Sequence, residues 1–207
     1  MLASTASGLA LGLSLIVAIG AQNLFVLRQG IRREHALAVA LVCAASDAIL
    51  IAVGVSGLGA VLHAVPWLID AVRWAGAVFL AVYAVLAARR SLRPGAEVLD
   101  AGAARAPGRR GAPLLPVLLT CLALTWLNPH VYLDTVFLLG SVANTHGAHR
   151  WWFAAGAMAA SLLWFSALAL GARYLARWLA TPRAWRVLDG VIAVVMMALA
   201  VSLVWPR

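Results

Sequence analysis

The run Ala36–Leu62, ALAVALVCAASDAILIAVGVSGLGAVL, carries a single charged side chain, Asp47. A helix needs about 20 residues to cross a bilayer core, and this run exceeds that. Five more apolar runs lie near 6–27, 67–88, 114–140, 151–172 and 184–205. The gaps at 28–35, 63–66, 89–113, 141–150 and 173–183 collect the charges and turn residues. Together the runs predict an all-α integral membrane protein with six transmembrane helices. Composition agrees: of 207 residues 64% are hydrophobic and 11% charged, with a mean hydropathy of +0.95. A soluble domain carries about a quarter charged residues.

The net charge of +9 comes from sixteen basic residues, all of them Arg. Twelve fall in the first, third and fifth gaps and a thirteenth, Arg186, just beyond the fifth, where they would meet anionic headgroups. A nucleic-acid module would instead show a basic face interleaved with aromatics on a soluble fold, so nucleic acid is not an expected partner. The positive-inside rule puts the three arginine-rich gaps in the cytoplasm and both termini in the periplasm of a bacterial inner membrane. Trp67, Trp151, Trp152 and Trp205 then belong to an outer aromatic belt, and Trp178 and Trp185 to the inner interface. No Lys or Arg precedes the first run, and it exceeds the 7–15 residues of a signal-peptide core, so it reads as a retained helix. Cys43 and Cys121 both lie inside apolar runs and read as small buried hydrophobes; neither metal spacing nor a disulfide framework can be built from them, and no cofactor is expected.

The two halves resemble each other. Gln22-Asn23-Leu24-Phe25 aligns with Pro129-His130-Val131-Tyr132, Ala44-Ala45-Ser46 with Ala159-Ala160-Ser161, and Trp74-Ala75-Gly76-Ala77-Val78 with Leu188-Asp189-Gly190-Val191-Ile192. The offsets of 107, 115 and 114 are nearly constant. Two copies of a three-helix unit must enter the membrane from opposite sides. The expectation is therefore two inverted three-helix repeats, residues 1–90 and 114–207, joined by a cytoplasmic linker at 91–113 that is rich in Gly, Ala, Pro and Arg. Inverted repeats are a mark of secondary transporters, with the site at the repeat interface near the midplane.

Ionisable groups at membrane depth are costly and so point to function. Asp47 lies about 12 residues into its segment, roughly 18 Å from the start at 1.5 Å per residue. Asp134 sits in the outer half of the fourth segment. Either carboxylate can attract a cationic substrate or take up a proton, and in a proton antiporter the two compete. Two polar clusters, Gly20-Ala21-Gln22-Asn23 and Asn128-Pro129-His130, interrupt the first and fourth segments. Pro129 removes a backbone donor and forces a kink; Gly20 permits a bend. Breaks at corresponding places in two halves mark a transporter site, where Gln22, Asn23 and Asn128 can hold an amino acid's polar groups. His130 can relay protons, a role that suits an imidazole near neutral pH. Trp126 and Trp164 lie within segments, where packing is their default role. Asp70 with Arg73, and Arg186 with Asp189, have the i,i+3 spacing of local ion pairs.

Three stretches resemble the LysE/ArgO family of basic amino acid exporters. They are Gly20-Ala21-Gln22-Asn23 with Phe25 to Arg33, Ala45-Ser46-Asp47, and above all Leu124-Thr125-Trp126-Leu127-Asn128-Pro129-His130-Val131-Tyr132-Leu133-Asp134-Thr135. The resemblance covers nearly the whole chain outside the linker. It implies export of L-arginine, L-lysine or both, driven by protons or the membrane potential, with Asp47, Asp134, Asn23 and the Asn128-Pro129 pair in the transport path. Many relatives have Gly-Pro-Gln-Asn in the first segment; here Ala21 replaces the proline, which weakens the expectation of a broken first helix.

Other readings are export of another small amino acid, a passive channel or scaffold, and an intramembrane enzyme. Ser46, His130 and Asp134 could be written as a hydrolytic set, but no nucleophile-bearing turn or zinc motif supports one. The expectation is a protein that is not an enzyme.

Overall fold

The computed structural model describes residues 1–17, 20–32, 35–57, 66–92, 113–175 and 181–205. Among these residues the secondary structure is helical, with no strand. The main helices are α1 (Leu2–Ile16), α2 (Ala21–Arg32), α3 (Ala36–Val55), α4 (Pro66–Leu92), α5 (Leu114–Trp126), α6 (Pro129–Thr145), α7 (Arg150–Leu175) and α8 (Pro182–Val204). Four of them, α3, α4, α7 and α8, are each long and apolar enough to cross a membrane. The bent pairs α1–α2 and α5–α6 bring the number to six if each pair is one span.

The first span, expected over 6–27 with a polar interruption at Gly20 and the question of a full break left open, is broken. It is two helices meeting at 82°, and they extend beyond both expected ends. Asn23 explains how the break is tolerated. Its Nδ2 donates to the Ile16 carbonyl at 2.8 Å, a group that a continuous helix would pair with the amide of Gly20. The fourth span breaks where proline predicts, with α5 and α6 at 57°. Pro129 opens α6, where its missing N–H costs nothing, and Asn128 caps it by accepting from the His130 amide at 3.1 Å. The same span runs on to Thr145, into residues expected to be loop, and Tyr132–Leu139 is wound as a π-helix. The second span stops at Val55, short of the expected 62, and leads into Gly57 at φ +84°. The rest of that connection and the linker residues 93–112 lie outside the described residues.

Large apolar side chains such as Leu41, Val78 and Val194 are exposed along α3, α4 and α8. Water would penalise that surface; lipid solvates it. Inside the bundle, small residues bring backbones together, as they do where lipid supplies no hydrophobic drive between helices. Helix α1 packs on α7 and α4 on α8, while α3 packs on both α7 and α6. Gly54 and Gly140 face each other across the α3–α6 contact. Trp67, Trp151, Trp152 and Trp205 are exposed, whereas Trp185, expected at an interface, is buried beneath the Arg32 guanidinium. Trp178 is outside the described residues.

Gly76 of α4 touches the broken fourth span directly: a Cβ there would stand 1.9 Å from the Leu127 carbonyl oxygen. Backbone cannot swing aside as a side chain can. Gly76→Ala is therefore expected to lower stability by about 1–3 kcal/mol, the usual range for overpacking. Gly171→Ala on α7 meets nothing within 4 Å and is expected to be neutral or stabilising, since Ala favours helix over Gly by about 1 kcal/mol. Thermal melting of the two variants in detergent checks the contrast.

Candidate substrate site

Asp47 lies in the interior of α3 and is 6% exposed. The fully buried Ser161 of α7 donates its hydroxyl to Asp47 Oδ2 at 2.7 Å. One turn on from Ser161, on the same face of α7, the Trp164 indole N–H donates to Asn23 Oδ1 at 3.2 Å. Asn23 thus ties α7 to both limbs of the broken first span. Beside Asp47, the Ser46 hydroxyl accepts from the Trp126 indole at 3.3 Å. Tyr132 closes the same corner by donating to the Trp126 carbonyl at 2.9 Å, across the second break. Polar groups from both breaks, α3 and α7 therefore form one seam around a buried carboxylate.

The remaining expected residues are placed as follows. Gln22 is beside Cys43, and its Nε2 is buried with no conventional hydrogen-bond partner among the described residues. Asn128 spends its Oδ1 on the α6 cap. His130 is half-buried, and its ring makes no hydrogen bond among the described residues. Asp134 is exposed in the first turn of the π-helix and has no ion pair or hydrogen bond among the described residues. Gly20 and Pro129 sit at the two breaks. No hydrogen bond joins Ser46, His130 and Asp134 among the described residues, so a hydrolytic set is not assembled there.

Ser161 and Tyr132 were not singled out as site residues by the sequence, and Trp126 and Trp164 were assigned to packing. A signal for Ser161 was present, since the internal repeat aligns it with Ser46, next to Asp47. Cys43 and Cys121, read separately as buried hydrophobes, are brought within 3.2 Å of each other where α3 meets α5. A membrane-permeant oxidant is expected to join them, read as the loss of both maleimide-reactive thiols after denaturation. Two thiols that remain reactive would contradict the α3–α5 register.

A cleft of about 830 Å³ between α4 and α8 is lined by Ala84, Val85, Val194, Met197 and Trp205 among others. It offers an amino acid almost no polar partner. The Asp47 seam is where charge, amides and indoles converge.

A helical bundle with four to six candidate membrane spans, and a carboxylate buried inside one of them, is the architecture of a membrane transporter. The chain belongs to the LysE type translocator family, whose model matches residues 13–206. It is 49% identical to a Mycobacterium tuberculosis protein named "Putative amino-acid transporter", over 91% of this chain and 90% of that one. It is 41% identical to the lysine exporter LysE of Corynebacterium efficiens, over 96% of each chain. It is 43% identical to the arginine exporter protein ArgO of Klebsiella pneumoniae, over 95% of this chain and 90% of that one. No solved structure matches the chain.

Proposed function

We propose that this protein exports basic L-amino acids, L-arginine or L-lysine, across the bacterial inner membrane, coupled to protons or the membrane potential. The observation that carries the reading is Asp47, a buried carboxylate hydrogen-bonded to Ser161. A guanidinium or ammonium group joins the Ser161 hydroxyl at Asp47 when substrate binds, and a proton takes the substrate's place after release. Asn23, Gln22 and the freed carbonyls at the first break hold the amino acid's backbone groups. Asp134 serves as a second carboxylate along the route, and its exposure and lack of a partner among the described residues support that role. His130, beside the second break, relays protons, and Asn128 and Pro129 keep that break open. The names of the lysine and arginine exporters to which the chain is similar support the substrate class.

The packing suits two inverted three-helix repeats. The opening span of each half meets the middle span of the other, α1 on α7 and α6 on α3; the middle spans α3 and α7 meet, as do the last spans α4 and α8. The indole bonds follow the same exchange, Trp164 to Asn23 and Trp126 to Ser46. The arginine distribution supports periplasmic termini.

The test is counterflow in proteoliposomes loaded with a panel of amino acids. Labelled arginine is expected to exchange for arginine and lysine but not for leucine or homoserine. Exchange of neutral amino acids alone would overturn the cationic substrate, and exchange of none would overturn transport.

A further inference from the structure

Away from the Asp47 seam, a second buried charge cluster closes the arginine-rich end of the bundle. Asp189 of α8 is 1% exposed, and its Oδ1 takes Arg28 Nη2 of α2 at 3.3 Å and Arg90 Nε of α4 at 3.4 Å. Arg28 is itself buried. Arg90 also lies over the Tyr83 ring at 5.7 Å, and Tyr83 packs edge-on against Phe25 of α2. Phe25, Arg28 and Arg32 share one face of α2 by their spacing of three and four, and Arg32 lies over Trp185 of α8 at 5.7 Å. Three helices are thus cross-linked at one end by charge and aromatic contacts. Arg28 follows Asn23 by five residues, about 7.5 Å along the helix axis. The cluster therefore lies closer than the seam to that end of α2.

Buried ion pairs are a poor route to stability, because desolvation offsets much of their attraction and apolar packing often does as well. Their well-attested use is to fix one of two alternatives. Here α2 is the second limb of a broken span, hinged at Gly20, and so is the element able to leave α8. Leaving Asp189 without a cation in such a setting is costly. An arriving guanidinium or ammonium satisfies it; a neutral side chain of the same shape does not.

The geometry points to Asp189, clasped by Arg28 and Arg90, as a substrate-exchanged gate: a basic amino acid arriving at the arginine-rich end takes over Asp189, releases α2 and α4, and opens the way to Asp47. This rests on the reading of the protein as a carrier of basic amino acids. It adds a second, selective carboxylate that admits cationic side chains before the central site is reached.

The test places a reporter thiol at Ala87, a buried residue of α4 between Tyr83 and Arg90, in a chain carrying Cys43→Ser and Cys121→Ser. The reporter chain is first shown to exchange labelled arginine in proteoliposomes. Its labelling by a charged, membrane-impermeant thiol reagent is then timed with arginine, with citrulline (the neutral near-isostere) and with no amino acid. Several-fold faster labelling with arginine only, and labelling in Asp189→Asn that is fast and indifferent to arginine, are the expected results. Equal rates under all three conditions in a chain that exchanges arginine would overturn the gate and leave the transport reading intact. So would arginine-dependent acceleration that survives Asp189→Asn. The comparison of arginine with citrulline needs no change at Asp189, so a poorly folding variant cannot decide the matter. A native chain that exchanges no basic amino acid removes the underlying reading and the gate with it.

Discussion

Asp47→Asn is expected to cut arginine counterflow by roughly 30-fold or more while leaving the fold intact. Losing one member of a close buried charge pair typically costs about 2–5 kcal/mol, and each 1.4 kcal/mol is about tenfold in affinity. Asparagine has nearly the same shape as aspartate, and its carbonyl oxygen can still accept the Ser161 hydroxyl at the Oδ2 position. What disappears is the charge, which is the part a guanidinium needs. Ser161→Ala tests the other half of the contact. It keeps the charge and removes the hydroxyl that shields Asp47, so a milder loss is expected, about tenfold, in keeping with a hydrogen bond to a charged group. Counterflow and thermal melting are measured together. Unchanged exchange in a well-folded Asp47→Asn chain would make Asp47 a packing residue and move the substrate site elsewhere.

The ranking of these two variants reflects what the sequence made visible. Asp47 stood out because a lone carboxylate in a long apolar run is costly in lipid, whether a substrate or a neighbouring hydroxyl satisfies it. The break at Asn128-Pro129 followed from proline's missing donor. The first break was harder: Ala21 stands where proline would announce it, and what the structure shows is the Asn23 bond to Ile16 that spans it. Ser161 and Trp164 were hidden for a different reason. On helices apolar all round, periodicity does not say which face meets a neighbour, so the partner of Asp47 was unreadable from spacing alone. The π-helix at Tyr132–Leu139 left no pattern either. Asp189 was misread. Its i,i+3 spacing to Arg186 suggested a local pair, whereas its ion pairs among the described residues reach α2 and α4. Asp70 and Arg73, with the same spacing, do pair, at 3.8 Å and largely exposed. Spacing reports only the partners available on one helix, and burial decides whether a stronger one arrives from another.

That difference between the two acids sets the last expectation. Asp189→Ala should cost about 3–5 kcal/mol, because it takes a buried compensating carboxylate from the buried Arg28 and the part-exposed Arg90. Asp70→Ala should cost no more than about 1 kcal/mol, since exposed pairs are screened and their side chains stay mobile. Denaturant or thermal melting in the same detergent gives both values. A small loss in Asp189→Ala would mean that Arg28 and Arg90 find water or headgroups as readily as Asp70's partner does, and the cluster would then not be a closed end. A third chain separates stability from function. Replacing all three charges, with Arg28→Met, Arg90→Met and Asp189→Leu, leaves nothing stranded and is expected to recover most of the lost stability, as apolar replacements of buried ion pairs often do. The same chain should fail to admit arginine faster than citrulline, because an apolar contact offers a cation nothing to exchange. Recovered stability together with lost discrimination would establish that the charges are kept for selection at the mouth rather than for the strength of the bundle.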